Sequence, residues 1–204
     1  MSLVISSVNN FMTEQEYLLS ERVSKVKREY IDGQVFAMAG AKINHNLLST
    51  NITRHFTNHL DGKPCATFSN DMRLAVGQDY VYPDVMVDCS SLAGDEDCLR
   101  SPLLIVEVLS SSTRKIDTTT KLLKYINLPS LQEYVLVEQD IVAVQVLRRS
   151  LNWQPTYYYL GDAVIFESIA LTLAVEDIYA RVQNNEMLEF IQAKSKLSAI
   201  PEQN

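Results

Sequence analysis

Apolar residues recur along this chain in two periods, and the switches between them divide it into elements. Thr13-Glu14-Gln15-Glu16 is a capping-box pattern and predicts a short helix carrying Tyr17, Leu18 and Leu19 inward. Asp32-Gly33 between two strand-like runs predicts a hairpin over 29–36. Leu47, Leu48, Ile52, Phe56 and Leu60 fall at helical spacing, which predicts a helix over 44–60 ended by Asp61-Gly62 and Lys63-Pro64. Strands are expected at 65–69, 72–76, 81–89 and 103–109. A helix over 112–128, stopped by Pro129, follows. Further strands are expected at 133–138, 141–147, 157–160 and 164–167, and a last helix or helix pair over 175–198. Strands, a long helix and another strand suggest an α/β or α+β chain with a mixed sheet and a crossover connection.

The composition fits one globular domain, since 47% hydrophobic and 21% charged residues can build a core. No window approaches the roughly 18 consecutive apolar residues of a membrane span. The first residues lack the basic-then-apolar pattern of a secretory signal, so a cytoplasmic protein without membrane association is expected. Cys65, Cys89 and Cys98 show no metal-ligand spacing and are expected as reduced thiols. The balance of 18 Lys+Arg against 25 Asp+Glu gives a net charge of -7. That works against binding a polyanion, because non-specific nucleic-acid affinity comes from cationic contacts to phosphate. A nucleic-acid ligand therefore requires Lys25, Lys27, Arg28, Arg114, Lys115, Lys121 and Lys124 to gather partly around one cleft.

Two acids stand where strand patterning calls for apolar residues. Alternation puts Tyr82, Asp84, Met86 and Asp88 on one face of their strand, and Leu103, Ile105, Glu107 and Leu109 on one face of theirs. An unpaired carboxylate in so apolar a run costs at least several kcal/mol. Two such acids on neighbouring strands suggest a shared hard cation such as Mg²⁺, with the carbonyl of Val108 as a further oxygen. Structural alternatives remain open: Glu107 paired with a buried Arg or Lys, and Asp84 capping a turn after Pro83. Past the strand end, Ser110-Ser111-Ser112-Thr113 form a polar loop where ligands of open α/β sheets tend to bind. Arg114, Lys115, Lys121 and Lys124 follow. Asp117, Lys121 and Tyr125 share one helical stripe that either carries Lys121 over the acids or is a solvated Asp–Lys pair.

These blocks together resemble the Uma-two family, assigned to the PD-(D/E)XK nuclease superfamily and common in cyanobacteria. They are Glu29-Tyr30-Ile31-Asp32-Gly33, His45, Tyr82-Pro83-Asp84-Val85, Ile105 through Thr113, Lys121 with Tyr125, and Glu133-Tyr134-Val135-Leu136-Val137. The resemblance implies a restriction-endonuclease-like mixed β-sheet flanked by helices and Mg²⁺-dependent phosphodiester cleavage, with Mn²⁺ as a substitute. In it Asp84 matches the first acid, Glu107 the second, and Glu29 an upstream acid that helps hold metal. At Leu109 the chain departs from the superfamily pattern, which has a lysine two residues after the acid; Lys121 is the natural replacement. His45 aligns with a histidine that opens the family's long helix; it is a candidate contact to phosphate or metal-bound water, or else a helix-start residue hydrogen-bonded to backbone. Ser110, Thr113, Arg114 and Lys124 are candidate substrate contacts.

The expected organisation is an N-terminal tail over 1–11, a nuclease-like domain over 12–182, and a C-terminal helix and tail over 183–204. The expected function is a metal-dependent endonuclease acting on nucleic acid, with DNA as the partner and a homodimer by analogy with superfamily members that cut both strands. Two rivals are a non-catalytic nucleic-acid or protein-interaction module on a decayed nuclease scaffold and a hydrolase of other phosphate esters.

Overall fold

The computed structural model describes residues 11–38, 40–91 and 93–198. Most of the tails expected at the two ends, over 1–10 and 199–204, therefore lies outside the described residues. Helix α1 (Glu14–Glu21) opens on a complete capping box, Thr13 accepting from the Glu16 amide and Glu16 reaching back to the Thr13 amide. Tyr17 is buried, whereas Leu19 is 56% exposed and does not turn inward as expected. Strands β1 (Arg28–Ile31) and β2 (Gln34–Ala37) pair through Ile31 and Gln34. The two linking residues, Asp32 and Gly33, take φ of 51° and 80°. That left-handed pair is the turn an Asp-Gly sequence favours.

Helix α2 (Ile43–Leu60) buries Leu48, Ile52, Phe56 and Leu60. After it come β3 (Ala66–Ser69), β4 (Arg73–Val76), β5 (Asp79–Val81), β6 (Val85–Asp88), β7 (Cys98–Leu99) and β8 (Pro102–Leu109). The single strand expected over 81–89 is interrupted between Val81 and Val85, where Pro83 has no amide proton for a ladder. Short strands β5 and β7 were not visible in the periodicity. The helix expected over 112–128 is shorter and composite: α3 (Arg114–Ile116), a π-helical turn (Asp117–Lys121) and α4 (Leu122–Tyr125).

Strands β9 (Glu133–Glu138), β10 (Val144–Arg148), β11 (Pro155–Tyr158), β12 (Ala163–Phe166) and β13 (Leu171–Ala174) complete the sheets, followed by α5 (Val175–Ile178) and α6 (Asn185–Ser198). A six-stranded sheet has the order β11-β10-β9-β8-β6-β3, a five-stranded sheet the order β2-β1-β5-β4-β7, and β12-β13 form a ribbon. In the six-stranded sheet β8 and β9 are parallel and the other pairs antiparallel, so the helical segment 114–125 is the crossover between them.

Alternation splits the core. One face of the larger sheet, with Val85, Val87, Leu104, Val106 and Val108, packs against α2, β12, β13 and α5. The other face, with Met86, Ile105, Leu109, Tyr134 and Leu136, packs against Tyr125, Leu128, Leu131 and the five-stranded sheet. Each fully buried side chain of this kind is worth about 1.5–3 kcal/mol. Glu107 shares parity with Ile105 and Leu109 and so points into this second, apolar core.

Cys65 and Cys89 do not stand as free thiols, against expectation: they are disulfide-bonded. They follow directly from the β3–β6 register, where Ala66 lies opposite Asp88. Cys98 is free and buried. Among the described residues no helix is long and apolar enough to cross a membrane.

Candidate active site

The register of β6 and β8 places Val85 opposite Val106 and Met86 opposite Ile105. Continued by one residue, it sets Asp84 against Glu107. Asp84 is held at both oxygens: the Val108 amide donates to Oδ2 at 2.7 Å, and His45 Nε2 lies 2.8 Å from Oδ1. His45 sits in the first turn of α2, and its ring meets a carboxylate rather than backbone. In a strand the amide and carbonyl of one residue point to the same side, so the Val108 carbonyl also faces the Asp84 side.

Lys121 is the centre of the arrangement. Its ammonium is 2.9 Å from Glu29 Oε1, 3.2 Å from Glu107 Oε1 and 3.3 Å from Asp117 Oδ1. Three elements converge there: β1 brings Glu29, β8 brings Glu107, and the π-helical turn brings both Asp117 and Lys121. Such turns are often retained at functional sites. Glu29 Oε1 also accepts from the Tyr82 amide at 3.0 Å, and Glu107 Oε1 from the Tyr125 hydroxyl at 3.0 Å. Asp117 Oδ1 has no hydrogen bond among the described residues and meets the Lys121 charge alone.

The electrostatics follow from burial. Glu107 is pushed well above its ordinary pKa first by desolvation, then by the negative charges of Asp117, Asp84 and Glu29; Lys121 opposes this without cancelling it. Asp117 is raised for the same leading reason. Desolvation alone would depress the Lys121 ammonium, but Glu107, Glu29, Tyr125 and Asp117 outweigh it and hold the charge. Burial, then the Glu107 charge, likewise keeps the Tyr125 phenol protonated.

Glu29, Asp84, Glu107, Asp117, Lys121 and His45 line one cavity of about 450 Å³, together with Ser110 and Thr113. Lys42, Asn46 and Gln139 also line it and were not singled out from sequence as site residues. Arg114 and Lys124 do not line it: Arg114 pairs with Glu138, and Lys124 with Asp32 at 2.7 Å and Asp79 at 2.6 Å. Arg28 pairs with Glu21 at 3.0 Å, so of the expected basic rim only Lys27 and Lys121 reach the cavity wall. Asp117 was read from sequence only as the partner of Lys121. The stripe Asp117, Lys121, Tyr125 was the signal for all three.

Among the described residues no group of three or more His, Cys, Asp or Glu side chains encloses a metal position. The reason is visible: the Lys121 ammonium stands between Glu29, Glu107 and Asp117. The donor set still suits a hard divalent ion. It offers carboxylate and carbonyl oxygens, and four acids face one ammonium, a negative excess that adds to the burial that lifts Glu107.

The Uma2 family profile, described as "Putative restriction endonuclease", matches residues 14–176. Two uncharacterized proteins of Synechocystis sp. are similar along most of their length. One is 35% identical over 173 residues, 82% of this chain and 91% of that protein. The other is 34% identical over 148 residues, 70% of this chain and 84% of that protein. The crystal structure of "a putative nuclease belonging to DUF820" from Anabaena variabilis superposes with a TM-score of 0.69 at 19% identity, covering 84% of this chain and 99% of that one. The mixed sheet, the flanking helices and the profile match agree: this chain has a restriction-endonuclease-like fold and belongs to the Uma2 family.

Proposed function

We propose that this chain is a metal-dependent endonuclease that hydrolyses nucleic-acid phosphodiester bonds, DNA foremost, in the cleft of Glu29, Asp84, Glu107 and Lys121. The observation that carries the reading is the Lys121 ammonium, within 3.3 Å of Glu29, Glu107 and Asp117 in the cavity that Asp84 also lines. Asp84, Glu107, the Val108 carbonyl and Glu29 would hold Mg²⁺ or Mn²⁺, which when bound supplies a water of lowered pKa and charge neutralisation at phosphate. Lys121 offers a preorganised cation to the negative charge that develops on the phosphoryl oxygens. His45 and the Val108 amide fix the Asp84 carboxylate. Tyr125 orients Glu107 through its hydroxyl.

A second reading, a binding module on the same scaffold without catalysis, is favoured by one observation: among the described residues no three His, Cys, Asp or Glu side chains enclose an ion. Incubation of supercoiled plasmid and single-stranded circular DNA with Mg²⁺ or Mn²⁺ separates the two. Nicking or linearisation by the wild type, abolished by Asp84→Ala and by chelation, supports the nuclease. Intact substrates, or equal cleavage by wild type and Asp84→Ala, favour the binding module.

A further inference from the structure

We infer that the strand admitted to this cleft is unpaired: the site takes a single-stranded nucleic-acid segment, with a phosphate beside Lys121 and the neighbouring base against an apolar wall of Phe36, Met38 and Tyr82. The inference rests on the nuclease reading of the site and names its substrate class.

Depth is the first argument. Glu107 and Lys121 are each 4% exposed and Asp117 is 2% exposed, so the reacting phosphate must travel to the floor of the cavity. The space leading there is about 450 Å³, the scale of a pocket for one small molecule rather than of a groove that holds a duplex. In a duplex, stacking and the second strand keep a phosphate from reaching the floor of a space of that volume. A nucleotide must leave the stack to reach a buried site, and that costs least when it is already unpaired.

The second argument is the lining. Phosphodiester hydrolysis needs only polar groups, yet Phe36, Met38 and Tyr82 line the same cavity, and Val26 and Met38 expose 57% and 39% of their surface at its edge. A base has an apolar π-face that such a wall accepts without regard to sequence. Lys27 lies over the Tyr82 ring, 5.9 Å from its centroid, and places a cation beside that face.

Charge is the third. Tight duplex binding rests on several free cations tracking two phosphate backbones. Here Lys27 pairs with Asp71, Lys124 with Asp32 and Asp79, and Arg114 with Glu138, in a chain of net charge -7. One strand entering one cavity makes far smaller electrostatic demands.

The test uses one short fluorescein-labelled DNA sequence as a single strand, as a duplex and as a single-stranded flap on a duplex, with RNA of the same sequence as a further arm. Cleavage is measured in Mg²⁺ or Mn²⁺, and binding by anisotropy with Ca²⁺ in their place, an oxygen-ligated divalent ion that keeps the site's charge balance. Single strand and flap should be cut at least about tenfold faster than duplex, the factor expected from one base stacked on an aromatic or apolar wall. Met38→Ala should raise KM for the single strand several-fold with kcat nearly unchanged, the signature of binding lost equally in ground and transition states. Met38 is exposed enough for that variant to fold, which circular dichroism checks. Duplex cut as fast as the single strand, or an unchanged KM in Met38→Ala, overturns the inference while leaving the nuclease standing. Single-strand binding with no cleavage supports the occupant and overturns the nuclease reading; neither binding nor cleavage overturns both. The RNA arm decides which sugar the strand carries.

Discussion

The ammonium of Lys121 lies 3.2 Å from Glu107 Oε1, and both side chains are buried between the two sheets. The relationship is not symmetrical. Lys121 has three carboxylate partners, so Glu107 can lose its charge without stranding the lysine, whereas losing Lys121 strands three acids.

That asymmetry predicts opposite outcomes for two substitutions of similar size. Lys121→Met should destabilise the protein by about 3–5 kcal/mol, the usual cost of leaving buried charges unpaired. Glu107→Gln should be neutral or stabilising at pH 7 without metal, because it removes one of four crowded acids. Urea unfolding of both variants checks this. A Glu107→Gln loss as large as that of Lys121→Met would mean that Glu107 is the indispensable partner of the ion pair.

Stability should also depend on pH with a definite sign. Glu107 is raised well above 4.5, first by burial and then by neighbouring acids, and Asp117 is raised above 3.8. Between the unfolded and the raised native values the native state binds more protons, so stability is greatest below the unfolded pKa and falls as pH rises through the native one. Melting curves from pH 4 upward should show this decline, and Glu107→Gln should flatten it. A wild type that gains stability across that window from these groups would contradict the burial argument.

Divalent metal should reverse the decline. An ion that binds the native carboxylates relieves their repulsion and stabilises by mass action, about 2.7 kcal/mol at a hundred times Kd. It competes with protons for Glu107, so the gain should grow with pH. Differential scanning fluorimetry with Mg²⁺ and Mn²⁺ should raise Tm for the wild type and much less for Asp84→Asn. Indifference of the wild type to both ions at alkaline pH would remove the metal from the site.

The bond between Cys65 and Cys89 ties the edge strand β3 to β6, the strand that follows Asp84. Reduction should lower the unfolding free energy by about 2–4 kcal/mol, as should Cys65→Ser. Native alkylation should leave both cysteines unmodified until a reductant is added. Rapid labelling of both in untreated protein would restore the reduced thiols that the sequence suggested.

By itself the sequence determined what is local. The Asp32-Gly33 turn, the capping box of α1, the apolar stripe of α2 and strand β9 at Glu133–Glu138 follow from periods and from turn chemistry that act over a few residues. It also marked Asp84 and Glu107 as acids out of place, because alternation tells which face a side chain takes. What only the tertiary structure decided is everything that depends on register and approach. That Asp84 stands against Glu107 depends on which residues of β6 and β8 pair, and a slip of one residue would send the acids to opposite faces. That Glu29 meets Lys121 at 2.9 Å depends on how the smaller sheet packs on the larger, and no period in either segment carries that distance. Strands of two or three residues such as β5 and β7 have too few positions to show a period at all, and partners in the sheet make them strands. The crossover helix shows the same division: its sequence placed Asp117, Lys121 and Tyr125 on one stripe, and packing against the sheet turned that stripe toward Glu107 and away from water.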